Sequence, residues 1–192
     1  MHDVNLRLFI AFELPDEIRA AIAGYMQPLR SLPGRVSWVK TENIHLTLKF
    51  FGDTPGKRID DITTGLREIA AATPPIVATI TGSGVFPNAR RPRVVWIGLE
   101  EKNGTLQKLA SAIDDRMHAL GFEKANRPFN AHLTIGRVRE GSIEKTIATM
   151  QAMPFGSYSV FFEEITLMRS ELHPAPAGAI YTPISKIKLN HQ

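Results

Sequence analysis

The same four-residue pattern occurs twice in this chain, as His45-Leu46-Thr47-Leu48 and as His132-Leu133-Thr134-Ile135. The copies begin 87 residues apart, close to half of the 192-residue chain. Each alternates polar and apolar positions, the pattern of a strand with one face in a core and the other free. In such a strand residues two apart share a face and lie about 6.6 Å apart. His45 and Thr47 therefore point one way and Leu46 and Leu48 the other, and His132 and Thr134 do the same above Leu133 and Ile135. The spacing predicts two pseudo-symmetric halves whose copies face one another, rather than a stack of short repeats.

The rest of the chain fits strands and helices around these two segments. Val4 to Leu14 alternates, with Leu6, Leu8, Ile10 and Phe12 on one face and Arg7, Phe9, Ala11 and Glu13 on the other. Pro15-Asp16-Glu17 opens a helix through Ile18, Ala21, Ile22 and Tyr25, which Pro28 is expected to interrupt. Short strands are expected at Ser37 to Lys40 and Ile44 to Phe51, and a helix at Ile59 to Ala72. Strands follow at Ile76 to Gly82 and Arg93 to Leu99. Asn103 is the expected cap of a helix through Leu106, Leu109, Ile113, Met117 and Leu120, stopped by Gly121. A strand at Ala131 to Val138, a helix at Ser142 to Met150, a strand at Ser157 to Arg169, a turn-rich stretch at Ser170 to Gly178 and a last strand at Ala179 to Ile187 complete the pattern. The fold class is mixed α/β (α+β) with antiparallel pairings, and no low-complexity linker divides residues 1–192.

At 43% hydrophobic and 22% charged residues, the chain can bury a core without covalent staples. It has no cysteine, which removes disulfides, thiolate metal sites and cysteine nucleophiles and fits a reducing compartment. No apolar run approaches the roughly 18 residues of a membrane span. Asp3, Arg7 and Glu13 break any signal-peptide core near the start, so a cytoplasmic location is expected. A net charge of +4 is compatible with a polyanionic partner. Arg90, Arg91 and Arg93 cluster in one loop, and Arg137 and Arg139 follow the second tetrad.

Two imidazoles and two hydroxyls in one cleft suit chemistry at a phosphodiester. One neutral His can take a proton from water while a protonated His gives one to the leaving oxygen, since an imidazole titrates near pH 6.5. Threonine hydroxyls can donate to nonbridging phosphate oxygens as charge builds. A single His-x-Thr strand is ordinarily structural; two copies with matched apolar neighbours point to function. No metal and no cofactor is expected, because the chain lacks cysteine, a His-x-x-x-His pair and a His-Glu-x-x-His helix. Gly82-Ser-Gly84 is too short for a phosphate loop, and no Gly-x-Ser-x-Gly elbow supports a serine nucleophile.

Other histidines carry less. His2 and His191 lie near the termini, His118 on a helix surface and His173 in a turn-rich stretch. Arg137 is the best candidate for a phosphate or nucleotide contact, but simple alternation puts it opposite His132. A bulge near Gly136 is needed to turn it over; otherwise it is a surface charge. Phe9 is either a base-stacking ring or a core aromatic, and both readings stay open. Tyr181 and the arginines at 90 to 93 divide in the same way between rim contacts and solvated surface.

The paired tetrads resemble those of the 2H phosphoesterase superfamily, and more closely the RNA 2′,3′-cyclic phosphodiesterases first described as 2′-5′ RNA ligases. The resemblance extends over Arg7-Leu-Phe-Ile-Ala-Phe12, Asn43-Ile-His-Leu-Thr-Leu-Lys-Phe-Phe-Gly-Asp53, Phe86-Pro87, Val94-Val-Trp-Ile-Gly98, Arg127-Pro-Phe-Asn-Ala-His-Leu-Thr-Ile-Gly-Arg137, Ser170-Glu-Leu172 and Gly178-Ala-Ile-Tyr181. It implies one domain of two intertwined lobes with one tetrad each, antiparallel sheets lining a central cleft and helices outside. It implies hydrolysis of RNA 2′,3′-cyclic phosphate ends to 2′-phosphates, with His45 as proton donor, His132 as proton acceptor, Thr47 and Thr134 on the phosphate and Arg137 near the nucleotide. Reverse 2′-5′ ligation is implied by microscopic reversibility. The expected partner is RNA, with no membrane, and a monomer is expected. Two other readings are a phosphoesterase for small cyclic nucleotides or ADP-ribose cyclic phosphate, and a non-catalytic nucleotide- or RNA-binding module.

Overall fold

The computed structural model describes residues 4–174 and 178–190; His2, His191 and part of the turn-rich stretch lie outside them. Among the described residues nine strands make one antiparallel sheet: β1 (Asn5–Glu13), β2 (Arg35–Trp38), β3 (His45–Pro55), β4 (Ile76–Phe86), β5 (Val94–Glu100), β6 (His132–Glu140), β7 (Tyr158–Phe162), β8 (Glu164–Leu172) and β9 (Ala179–Lys188). Their order is β7-β4-β5-β6-β3-β1-β8-β9, with β2 paired to β6 beside that path. Four helices, α1 (Asp16–Arg30), α2 (Ile59–Ala71), α3 (Thr105–Ala119) and α4 (Glu144–Ala152), cover one face.

Alternation in β1 sorts its residues as expected. Leu8, Ile10 and Phe12 enter the main core with Ile22, Ile62, Leu66 and Ile113 from the helices. Phe9 and Ala11 lie on the opposite face with Met168 and Tyr181. The sheet is thus packed on both faces at β1, thickly under the helices and thinly on the side that carries the histidines.

The expected strand at Ser157 to Arg169 is two strands broken at Glu163, and the second runs on through Leu172. β7 pairs with β4 and β8 with β1, near opposite ends of the strand order. A single residue spans at most about 3.6 Å, so the sheet must curl until its ends approach. Phe12 of β1 and Phe162 of β7 accordingly stack with ring centroids 4.5 Å apart.

Two helix ends differ from expectation. Pro28 does not stop α1, which continues to Arg30. Pro28 and Gly24, four residues earlier, are both exposed, so the missing bond falls on the solvent side while buried Leu29 holds the last turn. The N-cap of α3 is Gly104 rather than Asn103, and the side chain that serves the helix start is Glu101, whose carboxylate accepts from the backbone N–H of Asn103 (2.7 Å) and of Leu106 (3.1 Å). An acid at a helix start also suits the dipole. Left-handed Gly104, at φ 70°, makes the turn between them.

Candidate active site

The two tetrads are lateral neighbours on one sheet, not faces opposed across a gap as the spacing suggested. β3 and β6 are adjacent and antiparallel, joined through the pair Leu46 and Leu133. Running antiparallel from that pair, His45 falls beside Thr134 and Thr47 beside His132. The leucines, both fully buried, root the pair in the helix-covered core. The imidazoles and hydroxyls therefore share the other face, each histidine next to the threonine of the other copy.

Both imidazoles are held in the same way. His45 donates from Nδ1 to the Asn43 carbonyl at 2.8 Å, and His132 donates from Nδ1 to the Asn130 carbonyl at 2.7 Å. A carbonyl only accepts, so each Nδ1 carries a proton and each Nε2 is the nitrogen left for chemistry. An asparagine two residues before each histidine is a sequence signal that marks the matched arrangement. Asn43 is also tied in place, its Nδ2 donating to the Ala179 carbonyl at 2.7 Å.

Each ring has an aromatic support. Phe9 stacks on His45 with centroids 4.7 Å apart, and Tyr181 meets His45 edge-on at 5.3 Å and Phe9 at 5.0 Å. Phe86 meets His132 edge-on at 5.2 Å and stacks on Trp96 at 5.0 Å. Phe9 is only 3% exposed, and its neighbours are the His45 and Tyr181 rings. Phe9 lies as a buried ring beneath His45, in the lining of the same cleft. Burial pushes the His45 imidazole below its ordinary value, against the opposing pull of the Asn43 carbonyl and the Glu13 charge. Burial likewise pushes the Tyr181 phenol up, opposed by the positive charges of Arg137 and Arg7.

The bulge that Arg137 needed is present. Trp96 pairs with Thr134 and Val95 with Gly136, so Ile135 is an extra residue in β6. Val94 and Trp96 share a face of β5, and their partners Arg137 and Thr134 therefore share a face of β6. β3 carries the same device: Ala11 pairs with Thr47 and Ile10 with Lys49, leaving Leu48 extra. Leu48 and Lys49 are consequently both buried, and Phe50 turns onto the face of Thr47. Phe50 and Arg137, each three residues past a threonine, are thus matched positions. Simple alternation misplaces both, which is why Phe50 was not legible as a site residue.

These groups line a cleft of about 800 Å³. His45, Thr47 and Thr134 form part of its wall with Phe9, Phe50 and Tyr181, and among the described residues its charged lining is Arg7, Lys40, Arg137 and Arg139; Glu13 and Glu42 line the adjoining pocket on the other side of His45. His132 shares the face of Thr134 by alternation. Arg90, Arg91 and Arg93 are exposed but are not among the residues lining the cleft. Among the described residues no three His, Asp or Glu side chains gather into a metal-binding group, and no helix is long and apolar enough to cross a membrane.

The family model described as "LigT like Phosphoesterase" matches residues 12–96 and again 97–177, one tetrad in each match. A protein of Methanothermobacter thermautotrophicus called RNA 2′,3′-cyclic phosphodiesterase is 35% identical over 97% of this chain and 100% of its own length. One of the same name from Archaeoglobus fulgidus is 34% identical over 92% of this chain and 96% of its own. Among solved structures, E. coli LigT complexed with 3′-AMP superimposes with a TM-score of 0.81 at 29% identity, covering 97% of this chain and 99% of that one.

Proposed function

This chain belongs to the LigT-like phosphoesterase family, and from that premise we propose that it hydrolyses RNA 2′,3′-cyclic phosphate ends to 2′-phosphomonoesters. The observation that carries the reading is the paired register at Leu46 and Leu133, which gathers two histidines and two threonines on one face. The cationic lining of the cleft supports an anionic substrate. Naming of relatives as RNA 2′,3′-cyclic phosphodiesterases supports the substrate class.

In this mechanism Nε2 of neutral His132 takes a proton from water as the water oxygen bonds to phosphorus. The bond from phosphorus to the 3′ oxygen breaks, and Nε2–H of protonated His45 delivers the proton to that oxygen. Thr47, Thr134 and Arg137 hold the nonbridging oxygens while negative charge grows. A free protein favours neutral His45, because burial disfavours its charged form. An arriving phosphate brings the negative charge that restores its proton. The same steps with the 5′-hydroxyl of a second RNA in place of water give 2′-5′ ligation, and their reversal, with the 3′-hydroxyl attacking the 2′-5′ diester, re-forms the cyclic phosphate. Residues 1–192 act as one domain, its two lobes intertwined because the chain crosses from the β3 side to β4 and back from β7 to β8.

The test is an RNA oligomer ending in a 2′,3′-cyclic phosphate, incubated with EDTA and wild type, His45→Ala or His132→Ala. Conversion to the 2′-phosphate by wild type alone is expected; a 3′-phosphate product, or turnover by either variant at the wild-type rate, refutes the assignment. A second reading has one observation in its favour: the Arg90 to Arg93 loop stands outside the cleft, so it adds no reason for a long RNA. Equal kcat/KM for oligomers and for nucleoside cyclic phosphates would favour a small cyclic nucleotide substrate. Tight binding without turnover from pH 5 to 9 would instead favour a binding module.

A further inference from the structure

The two halves of the site match beyond the tetrads and part at one position. β1 flanks β3 as β5 flanks β6. Ala11, Phe12 and Glu13 pair with Thr47, Leu46 and His45, while Trp96, Ile97 and Gly98 pair with Thr134, Leu133 and His132. The residue directly across from the histidine is therefore Glu13 in one half and Gly98 in the other. Directly opposed residues carry their side chains on one face, with Cβ atoms about 5 Å apart. A side chain at position 98 has no room, since a Cβ there would lie 2.7 Å from the Thr81 carbonyl oxygen and 3.3 Å from the Trp96 ring. At this register position only His45 has a carboxylate.

Glu13 is held in place and charged. Its Oε2 accepts from the Lys186 ammonium at 2.7 Å and from the hydroxyl of buried Thr166 at 3.1 Å. Burial pushes its carboxyl up, but these bonds and the charges of Lys186 and Arg19 outweigh that and hold it below its ordinary value. It is thus a carboxylate throughout the range in which an imidazole titrates. Glu13 and His45 line one pocket of about 270 Å³ together with Arg19, Lys40 and Glu42, and Lys186 also reaches Glu164 at 3.4 Å. On its cleft side His45 shares a wall with Arg7 and Arg137. Tyr181, set against the ring from β9, stays a neutral phenol because burial pushes it up.

We propose that Glu13 is the positioning residue that breaks the near-symmetry of the site and assigns the donated proton to His45. This rests on the cyclic-phosphate reading of the site and adds what tells its two histidines apart. The tetrads and the carbonyls of Asn43 and Asn130 are alike in both halves, so they do not decide which imidazole begins with two protons. A donor must begin as imidazolium. Burial opposes that state at His45, and the cationic wall of Arg7 and Arg137 supplies no counter-charge. The Glu13 carboxylate does supply one, and it favours the charged ring. His132, across from Gly98, lacks that neighbour and is left to accept the proton of water. Lys186 tempers the effect: it fixes the carboxylate and offsets part of its charge, so His45 still releases its proton to the 3′ oxygen.

The experiment titrates His45 and His132 by NMR in wild type, Glu13→Gln and Lys186→Gln, and follows kcat/KM on adenosine 2′,3′-cyclic phosphate from pH 5 to 9. Both variants break the same ion pair, so a merely structural role moves His45 the same way in each. The proposal requires opposite directions. Glu13→Gln removes the counter-charge and should shift the His45 titration down; Lys186→Gln unmasks it and should shift the titration up. His132 should stay in place in both. With less His45 protonated, Glu13→Gln should lower kcat/KM about 10-fold at pH 8 and by less at pH 5. An unmoved His45, equal shifts of both histidines, or shifts of one sign in the two variants overturns the proposal. If Glu13→Gln does not fold, an upward shift in Lys186→Gln supports the proposal and its absence overturns it. If wild type turns over no cyclic phosphate while the titrations move apart, Glu13 still sets the proton of His45 and the hydrolytic reading alone falls.

Discussion

Lys49→Met is the sharpest perturbation of the scaffold beneath the site. The Leu48 bulge sends Lys49 into the helix-covered side, where its ammonium donates to Asp114 at 2.5 Å and to the Glu123 carbonyl at 2.9 Å. Its side chain is 6% exposed and that of Asp114 is 16% exposed. Methionine keeps the length and loses the charge, leaving the carboxylate with the Ala125 N–H at 3.0 Å. Removing one partner of a buried pair costs about 3–5 kcal/mol; the remaining bond and the partial exposure of Asp114 put this case at about 3 kcal/mol. For a protein of this size that is a fall in Tm of about 6–12 °C. Burial pushes the Asp114 carboxyl up, but its bonds to Lys49 and Ala125 and the charges of Lys49 and Lys124 outweigh that and hold it low. Its stabilising share is thus present above the ordinary carboxylate value near 3.9 and is lost as pH falls through the lower folded value. Urea melts at pH 7 and pH 3 for wild type, Lys49→Met, Asp114→Leu and the double variant measure it. The difference should shrink at pH 3, and the double variant should recover most of the loss. A cost under about 1 kcal/mol, or additive single losses, refutes the buried pair. A hundredfold fall in kcat with unchanged Tm would place Lys49 in the cleft instead.

Three further outcomes are expected. With burial holding His45 below 6.5, its NMR titration should show that lowered value, and kcat/KM should decline as pH rises through it if His45 gives the proton; a rise there would exchange the histidines' roles. Nitrogen shifts should report Nδ1–H tautomers for both neutral imidazoles, and an Nε2–H form in either would undo the site's geometry. Gly136→Ala puts a Cβ at 2.7 Å from Val36 and 3.1 Å from the Trp38 ring, so a loss of about 1–3 kcal/mol and a raised KM through displaced Arg137 should appear in melts and kinetics; full retention of both would show that β2 yields freely.

Much of this was legible because period-two patterns report faces directly. The β1 alternation sorted core from cleft correctly, and the tetrads located four side chains that the register brings together. Illegible features arise from partners distant in sequence. The extra residues Leu48 and Ile135 exist because β1 and β5 set the pairing, and nothing in the tetrads themselves announces the slip. It hid Phe50 completely and left Arg137 conditional. The break at Glu163 was invisible for the same reason, since Ser157 to Arg169 alternates well enough to pass for one strand. Adjacent rather than facing tetrads follow from the contact of β3 with β6, which no local pattern encodes.

The place of β1 has a consequence during synthesis. Its inner neighbour β3 follows within about forty residues, but the edge from Arg7 to Ala11 waits for Thr166 to Ser170 of β8. At about 5–20 residues per second, that edge stays open for roughly 8–30 s, displaying unpaired backbone of the kind that recruits foreign strands. Phe9 lies on it, and Tyr181 arrives only with β9. A nascent chain halted before residue 179 therefore holds both histidines yet lacks part of what steadies His45, so the emerging site stays unready until β9 has joined the sheet.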